Sequence, residues 1–289
     1  MSKKKILVLG SNGFIGRNIV EYLSPDVYDI YSPKRQELNL LDTQAVESYM
    51  KKTTPHVVVL SAVNIKSLDE NLIMYFNLER CSDHFGKLIS IGSAAEYDMK
   101  NYQPMMKEDY FRKHIPSDTY GLSKFVISND IESKPRNLVN MRVLGIYGKY
   151  EDYTRRFLSN NICRALAGMG ISINRDMFFD FIYVNDFLKI LELFINNETA
   201  QRNYNVCTGS PIRLSEIAQV IANTHDKDES VLIKQEGLNP DYSADNSRLI
   251  SEFGPVEFTK LETAVQELYD WYKNHPNIEQ ICTQLREAE

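Results

Sequence analysis

The chain has 289 residues, room at roughly 150 per domain for two domains or one large one, and enough to bury a sizeable core. Its 33 Lys and Arg against 39 Asp and Glu give a net charge of −6 with no long basic run, which argues against a nucleic-acid partner. Apolar stretches such as Val57 to Leu60 fall far short of the roughly 20 residues of a membrane span, and four scattered cysteines without a CxxC pair argue against a structural zinc site.

Behind a basic N-terminus, Ile6 to Leu9 is too short an apolar run for a signal peptide, so a cytoplasmic protein with reduced thiols is expected. The run reads instead as a buried strand. Asn12 to Leu23 reads as a helix, Val27 to Tyr31 as a strand, Thr43 to Lys52 as a helix and Val57 to Val63 as a strand. Leu88 to Ile91 and Leu138 to Val143 read as two more strands with helical sequence between them. Apolar runs without alternation suit strands covered on both faces, and strand–helix alternation means a Rossmann-type, doubly wound parallel α/β sheet. Beyond Gly148 the pattern loosens. Helices are expected at Tyr153 to Gly168, Val184 to Asn196, Leu214 to Asn223 and Leu261 to Asn274, with strands within Gly170 to Phe181 and at Tyr204 to Cys207. Residues 1–150, joined again by 180–207, are expected to form a dinucleotide-binding domain. Residues 151–179 and 208–289 would form a smaller, mixed substrate-binding domain that closes a cleft over the strand ends.

Gly10-Ser-Asn12-Gly13-Phe14-Ile15-Gly16 follows the first strand and opens the first helix. Gly10 allows a tight turn, Gly13 the approach of a pyrophosphate, and Gly16 close packing of helix on strand. Dinucleotide binding is therefore expected, with Ser61, Ala62 and Val63 at the end of a neighbouring strand. The second strand ends in Tyr31-Ser32-Pro-Lys34-Arg35, without the acid that accepts a bond from the ribose of NAD. Ser32, Lys34 and Arg35 instead suit a 2′-phosphate, so NADP(H) is favoured over NAD(H).

Tyr120-Gly-Leu-Ser-Lys124 puts a phenol and an ammonium one turn apart on a helix that Pro116, Ser117 and Asp118 can start. A nearby ammonium lowers a phenol's pKa, which makes Tyr120 a candidate proton donor near neutrality. Ser93, in Ile89-Ser90-Ile-Gly-Ser93, falls at a strand's carboxyl end, where ligands bind in this architecture. Ser90, inside the strand, is the weaker alternative.

These motifs, with Arg142-Val-Leu-Gly-Ile-Tyr147-Gly148, Asp180-Phe-Ile-Tyr-Val-Asn-Asp186 and Tyr204-Asn-Val-Cys-Thr-Gly209, resemble the extended short-chain dehydrogenases/reductases over nearly the whole chain. The likeness is to their nucleotide-sugar epimerase/dehydratase/reductase branch. Arg35 to Asp42 is similar to the same stretch in GDP-fucose synthases; that resemblance implies Arg35 at the 2′-phosphate, with Asn39 and Leu40 flanking adenine. Dehydratases of the branch carry an acid pair where this chain has Ala94 and Ala95. GDP-fucose synthases have a Cys at the position of Ala95 and a His in the loop after Tyr-Gly, and Lys149 to Arg156 contains no His. The resemblance thus implies a 4-ketoreductase acting on a nucleotide-linked keto-deoxy sugar. A 4-epimerase with tightly bound cofactor is the alternative, and a non-catalytic dinucleotide-binding sensor a third reading.

On the substrate side, Arg155, Arg156 and Asn161 follow the Tyr147-Gly148 turn, where the branch places substrate contacts. Phe179 replaces a common Arg, and Asn239-Pro240 stand near another missing one; Arg175 and Arg248 are candidates to replace them. Tyr97 is a candidate for the sugar pocket, and Glu151-Asp152 for a loop gating the cleft. No residue is assigned to a metal. The resemblance allows a homodimer through the Tyr120 helix and the helix of Asn71 to His84.

Overall fold

The structure, a computed structural model, describes residues 3–134, 137–225 and 230–288. Strand β1 (Lys4–Leu9) sends Ile6 and Val8 to one face and Leu7 and Leu9 to the other, all four buried. A run apolar on both faces needs cover on both, and helices supply it. In chain order follow α1 (Phe14–Tyr22), β2 (Tyr28–Tyr31), α2 (Thr43–Thr53), β3 (Val57–Leu60), α3 (Leu68–Glu79), β4 (Lys87–Ser93), α4 (Thr119–Ser133) and β5 (Leu138–Val143). The second half adds β6 (Gly145–Tyr147), α5 (Phe157–Leu166), β7 (Ile171–Asp176), β8 (Phe178–Phe179), β9 (Phe181–Tyr183), α6 (Val184–Asn196), β10 (Asn203–Val206), β11 (Ile212–Arg213), α7 (Leu214–His225), β12 (Val231–Leu238), α8 (Ser247–Phe253), α9 (Leu261–Lys273) and α10 (Ile278–Glu287).

Six strands form one parallel sheet in the order β10-β5-β4-β3-β1-β2, a doubly wound α/β fold. Chain order reverses between β1 and β3, so the crevice beyond their carboxyl ends is the ligand-binding position of this fold. Gly10 follows β1 there and Ser61 follows β3. On one face, Leu7, Leu9, Val58, Leu60 and Leu88 pack against Val46 and Met50 of α2, Tyr75 and Leu78 of α3, and Ile127 and Ile131 of α4. On the other, Ile6, Val8, Val59 and Ile89 join Phe187, Leu191 and Phe194 of α6 in a cluster that continues into α5, α7, α9 and α10.

The predicted elements are found, with ends moved. The first helix begins at Phe14 rather than Asn12 because the glycine turn occupies the intervening residues, and the helix after the Tyr147-Gly148 turn begins at Phe157 rather than Tyr153. Helix α4 starts where Pro116-Ser117-Asp118 predicts: Asp118 Oδ1 accepts from Gly121 N at 2.7 Å. The helix expected over Asn71 to His84 is α3 followed by a 3-10 turn at Ser82–His84. Among the described residues, no helix is long and apolar enough to cross a membrane.

Candidate active site

The site begins at the turn after β1. Gly10 takes φ +88°, a conformation that favours glycine, and its carbonyl accepts from Gly13 N at 3.0 Å. A Cβ on Gly10 would lie 2.5 Å from Ala62 N, and one on Gly16 2.2 Å from Gly10 O. At Gly13 a Cβ would meet only Gly10 O, at 3.4 Å, with open space beyond. Gly13 caps α1 and has no side chain to occupy the first-turn N–H groups, so they face the crevice as an anion site. These features fit a dinucleotide's phosphates.

From this turn a cavity of about 900 Å³ runs along the sheet's carboxyl edge. Gly10, Asn12, Gly13, Phe14 and Ile15 line its start, and Ser61, Ala62 and Val63 the end of β3. Lys34, Arg35, Asn39 and Leu40 surround one end. The side chains of Lys34 and Arg35 are exposed and make no hydrogen bond or ion pair with the described residues. Two expected residues lie off the lining. Gly16 is buried under the turn, against Gly10, and Ser32 presents its carbonyl backwards to Ser11 Oγ at 3.3 Å.

Ser93, Tyr120 and Lys124 line the same cavity. Ser93 ends β4, and its backbone N donates to Glu96 Oε1 at 3.0 Å while its Oγ accepts from Ala95 N at 3.2 Å. The turn is held from behind by a buried ion pair, Arg142 Nε to Glu96 Oε2 at 2.7 Å. Asn140 also donates to Glu96, and Arg142 donates to Tyr97 and Ser128. Ser90, the weaker alternative, is buried within β4 and off the cavity lining, and its hydroxyl has no partner among the described residues.

The electrostatics differ from the expectation of an acidified phenol. Burial raises the Tyr120 pKa; the neighbouring Ser93 hydroxyl and the Arg156 charge act against it, and Lys124 is not among the main causes. The ammonium is elsewhere: Lys124 Nζ donates to Ile91 O at 2.7 Å and lies 5.9 Å from the Tyr120 ring centre. Burial pushes Lys124 down to about 8, with the Glu96 charge opposing. One helical turn puts the two residues on one face, but the backbone acceptor on β4 decides where the flexible Lys points. The resting phenol is thus held protonated, the form that gives a proton.

The substrate candidates separate. Arg155 and Arg156 line the cavity; Arg155 is drawn to Asp152 at 2.8 Å, whereas Arg156 is exposed and makes no hydrogen bond or ion pair with the described residues. Tyr97 is not a pocket residue: it is 1% exposed, donates to Asn205 Oδ1 at 2.6 Å and accepts from Arg142. Asn161 is likewise interior, bonded to Phe157 O and to Ser172 N. Arg248 turns to Asn203 O at 2.9 Å and towards Glu108, and Arg175 lies on β7 opposite Gln235, so neither replaces the missing cations. At the expected gating loop, Glu151 lines the cavity. Glu151 is buried and accepts from Ser159 Oγ at 2.6 Å, while Asn18 holds Lys149 O and Tyr150 donates to Glu21.

Sequence reasoning did not find the aromatic wall. Tyr242 stacks on Phe179 (centres 4.4 Å apart), Phe179 on Phe181 (4.1 Å) and Phe181 on Phe157 (6.1 Å), and all four line the cavity. These rings come from three separate segments and leave no periodic signal in the chain.

The model of the NAD dependent epimerase/dehydratase family matches residues 6–207, and with them the glycine turn, Ser93, Tyr120 and Lys124. The chain belongs to that family. This is the branch to which the motifs point. Over 94% of its length it is 23% identical to the GDP-L-colitose synthase of Yersinia pseudotuberculosis, of which it covers 99%. It is 24% identical to the GDP-6-deoxy-D-talose 4-dehydrogenase of Aggregatibacter actinomycetemcomitans, over 92% of this chain and 97% of that protein. The fold is similar to that of the GDP-mannoheptose C4 reductase from Campylobacter jejuni, solved with NADP bound, at a TM-score of 0.80 and 22% identity over 95% of this chain and 100% of that one.

Proposed function

We propose that this epimerase/dehydratase-family chain is an NADPH-dependent reductase of a nucleotide-linked 4-keto sugar. The observation that carries the reading is one cavity lined both by the glycine turn and by Ser93, Tyr120 and Lys124. Ala94 and Ala95, which cannot carry protons, stand beside Ser93. The three relatives described above, all named for GDP-sugars, support the substrate class and make GDP the first nucleotide to test.

When bound, a reduced nicotinamide supplies the hydride to the carbonyl carbon. Tyr120 gives its proton to the carbonyl oxygen, which becomes the hydroxyl of the product. Ser93 donates a hydrogen bond to that oxygen and fixes its position. Lys124 holds the nicotinamide ribose and, once Tyr120 has given up its proton, stabilises the phenolate. Arg156 is the cation for the substrate's diphosphate. The test is NADPH oxidation with a GDP-linked 4-keto-6-deoxy sugar. Stoichiometric oxidation supports the reductase; product formed without net NADPH consumption would identify a 4-epimerase instead.

The 2′-phosphate reading makes its own prediction. Arg35→Ala should weaken NADPH binding about tenfold or more, the worth of one charged hydrogen bond, and leave NADH binding unchanged. Equal losses for both, measured by fluorescence titration, would remove Arg35 from the phosphate site.

Lys124 gives a pH dependence. Its folded-state pKa, lowered to about 8, means the ammonium is present below that pH and lost above it. Dinucleotide affinity should therefore fall as pH rises through about 8, and Lys124→Met should flatten that slope. The sign for stability is opposite: burying the charge costs stability below pH 8, and the cost is relieved between 8 and the unfolded value near 10.5.

A further inference from the structure

Ser93 is a strand end and a turn start at once. It closes β4 and caps the 3-10 turn Ala94–Tyr97, where its Oγ accepts from Ala95 N at 3.2 Å. A serine side chain has one torsion about Cα–Cβ, and this bond fixes it. One lone pair of the hydroxyl is then used, and its proton is still free to be given.

Glu96 holds the turn in the shape that makes this bond. Its Oε1 accepts from Ser93 N at 3.0 Å, so the serine and the glutamate cap each other. The carboxylate is fully buried, and its partners among the described residues are all donors. Arg142 Nε meets Oε2 at 2.7 Å, and Asn140 Nδ2 meets both oxygens at 3.1 Å. Arg142 is aimed in turn by Tyr97 and Ser128, with its guanidinium 4.5 Å from the Tyr97 ring centre and 4.8 Å from that of Phe111. Gly92 leaves the room: a Cβ there would lie 2.5 Å from Glu96 Oε1 and 2.4 Å from Asn140 Oδ1. A buried ion pair is weak evidence for stability, since two charges must leave water. This one ends on the backbone N–H of the serine that lines the cavity.

We propose that Glu96 is a positioning residue: held by Arg142 and Asn140, it fixes the turn so that Ser93 Oγ stays on Ala95 N and the Ser93 proton is left for the substrate oxygen. This rests on the reading of Ser93 as part of the reaction centre. Glu96 itself is off the cavity lining and acts only through Ser93.

Glu96→Gln keeps the size and turns one acceptor into a donor. The charged Arg142 bond is the stronger, so the amide nitrogen faces Ser93 N and that tie is lost. The expected result is a fall in kcat of about tenfold or more, with KM and NADPH affinity little changed. In a Ser93→Ala background the same substitution should cost nothing further, because the two residues act as a unit. An equal loss in both backgrounds, or a loss confined to KM, would overturn the proposal. Glu96→Gln leaves the Arg142 charge without its counterion, so the paired Glu96→Met, Arg142→Met protein repeats the test with no charge unpaired. It should melt near the original and lose turnover to the same degree; full turnover in that folded protein would also overturn the proposal. A second readout needs no substrate. In the dinucleotide-free protein, hydrogen exchange of the Ala95 amide, followed by NMR, should speed up about fivefold in Ser93→Ala, the worth of one hydrogen bond, and similarly in Glu96→Gln. Combining the two should add nothing. An Ala95 exchange rate unchanged by Glu96→Gln overturns the proposal even if the substrate class is wrong. If exchange responds but no 4-keto sugar nucleotide is reduced, the reductase reading fails and the Glu96–Ser93 coupling stands.

Discussion

Tyr120→Phe is expected to lower turnover of a 4-keto sugar nucleotide by about a thousandfold while NADPH still binds. The ring would stay in the cavity wall and only the hydroxyl would leave. A positioned general acid contributes roughly 10²- to 10⁴-fold. Tyr242 lines the same cavity, but its ring is stacked on Phe179 and meets the edge of Tyr102. Paired assays of NADPH oxidation and NADPH fluorescence decide the matter. Binding retained with turnover lost fits the reductase. Unchanged turnover would remove Tyr120 as proton donor, and an unchanged cellular function without any turnover would favour a dinucleotide sensor.

The glycine turn makes a prediction of comparable size, in which two neighbouring alanines fail for different reasons. In Gly16→Ala the new methyl would lie 2.2 Å from Gly10 O and 2.7 Å from Ser61 Oγ. Ser61 can rotate, but the Gly10 carbonyl is backbone and already accepts from Gly13. The helix must back away from the strand, at a cost on the order of 3 kcal/mol, the range of core overpacking. Thermal melting of the dinucleotide-free protein should show it as a lower Tm. In Gly13→Ala the methyl meets only Gly10 O at 3.4 Å, and φ is an ordinary −82°. That protein should melt close to the original yet bind NADPH at least about tenfold more weakly, because the methyl fills the approach of the pyrophosphate. A Gly13→Ala protein with normal affinity would place the phosphates elsewhere.

The sheet was readable because local signals carried it. Ile6 to Leu9 and Val57 to Leu60 are apolar on both faces, and Leu138 to Val143, though it carries Asn140 and Arg142 on one face, is buried along its whole length. The glycine spacing and the Tyr120 to Lys124 turn are equally local. Strand β12 was missed because its residues are mostly exposed and mixed in character, Val-Leu-Ile-Lys-Gln-Glu-Gly-Leu, and it pairs only with β7. Side-chain direction was the other blind spot. Tyr97, Asn161 and Arg248 have the right chemistry near the right motifs, but Asn205, Ser172 and Asn203 claim their polar atoms. Lys124 was placed on the correct face, yet the Ile91 carbonyl that holds it belongs to a distant strand. Tyr242 lies far along the chain from Ser93, and only the tertiary fold brings both to one cavity.

The ion pair behind Ser93 has a consequence for how this scaffold adapts. Arg142 and Glu96 are fully enclosed, and removing either would strand a charge in the interior, so the ledge bearing the serine is effectively frozen. New substrates cannot be accommodated by letting that ledge drift. Selection for altered substrate range, natural or in the laboratory, is therefore channelled into the ring-bearing segment around Phe179 and Phe181, which lines the cavity away from the ion pair.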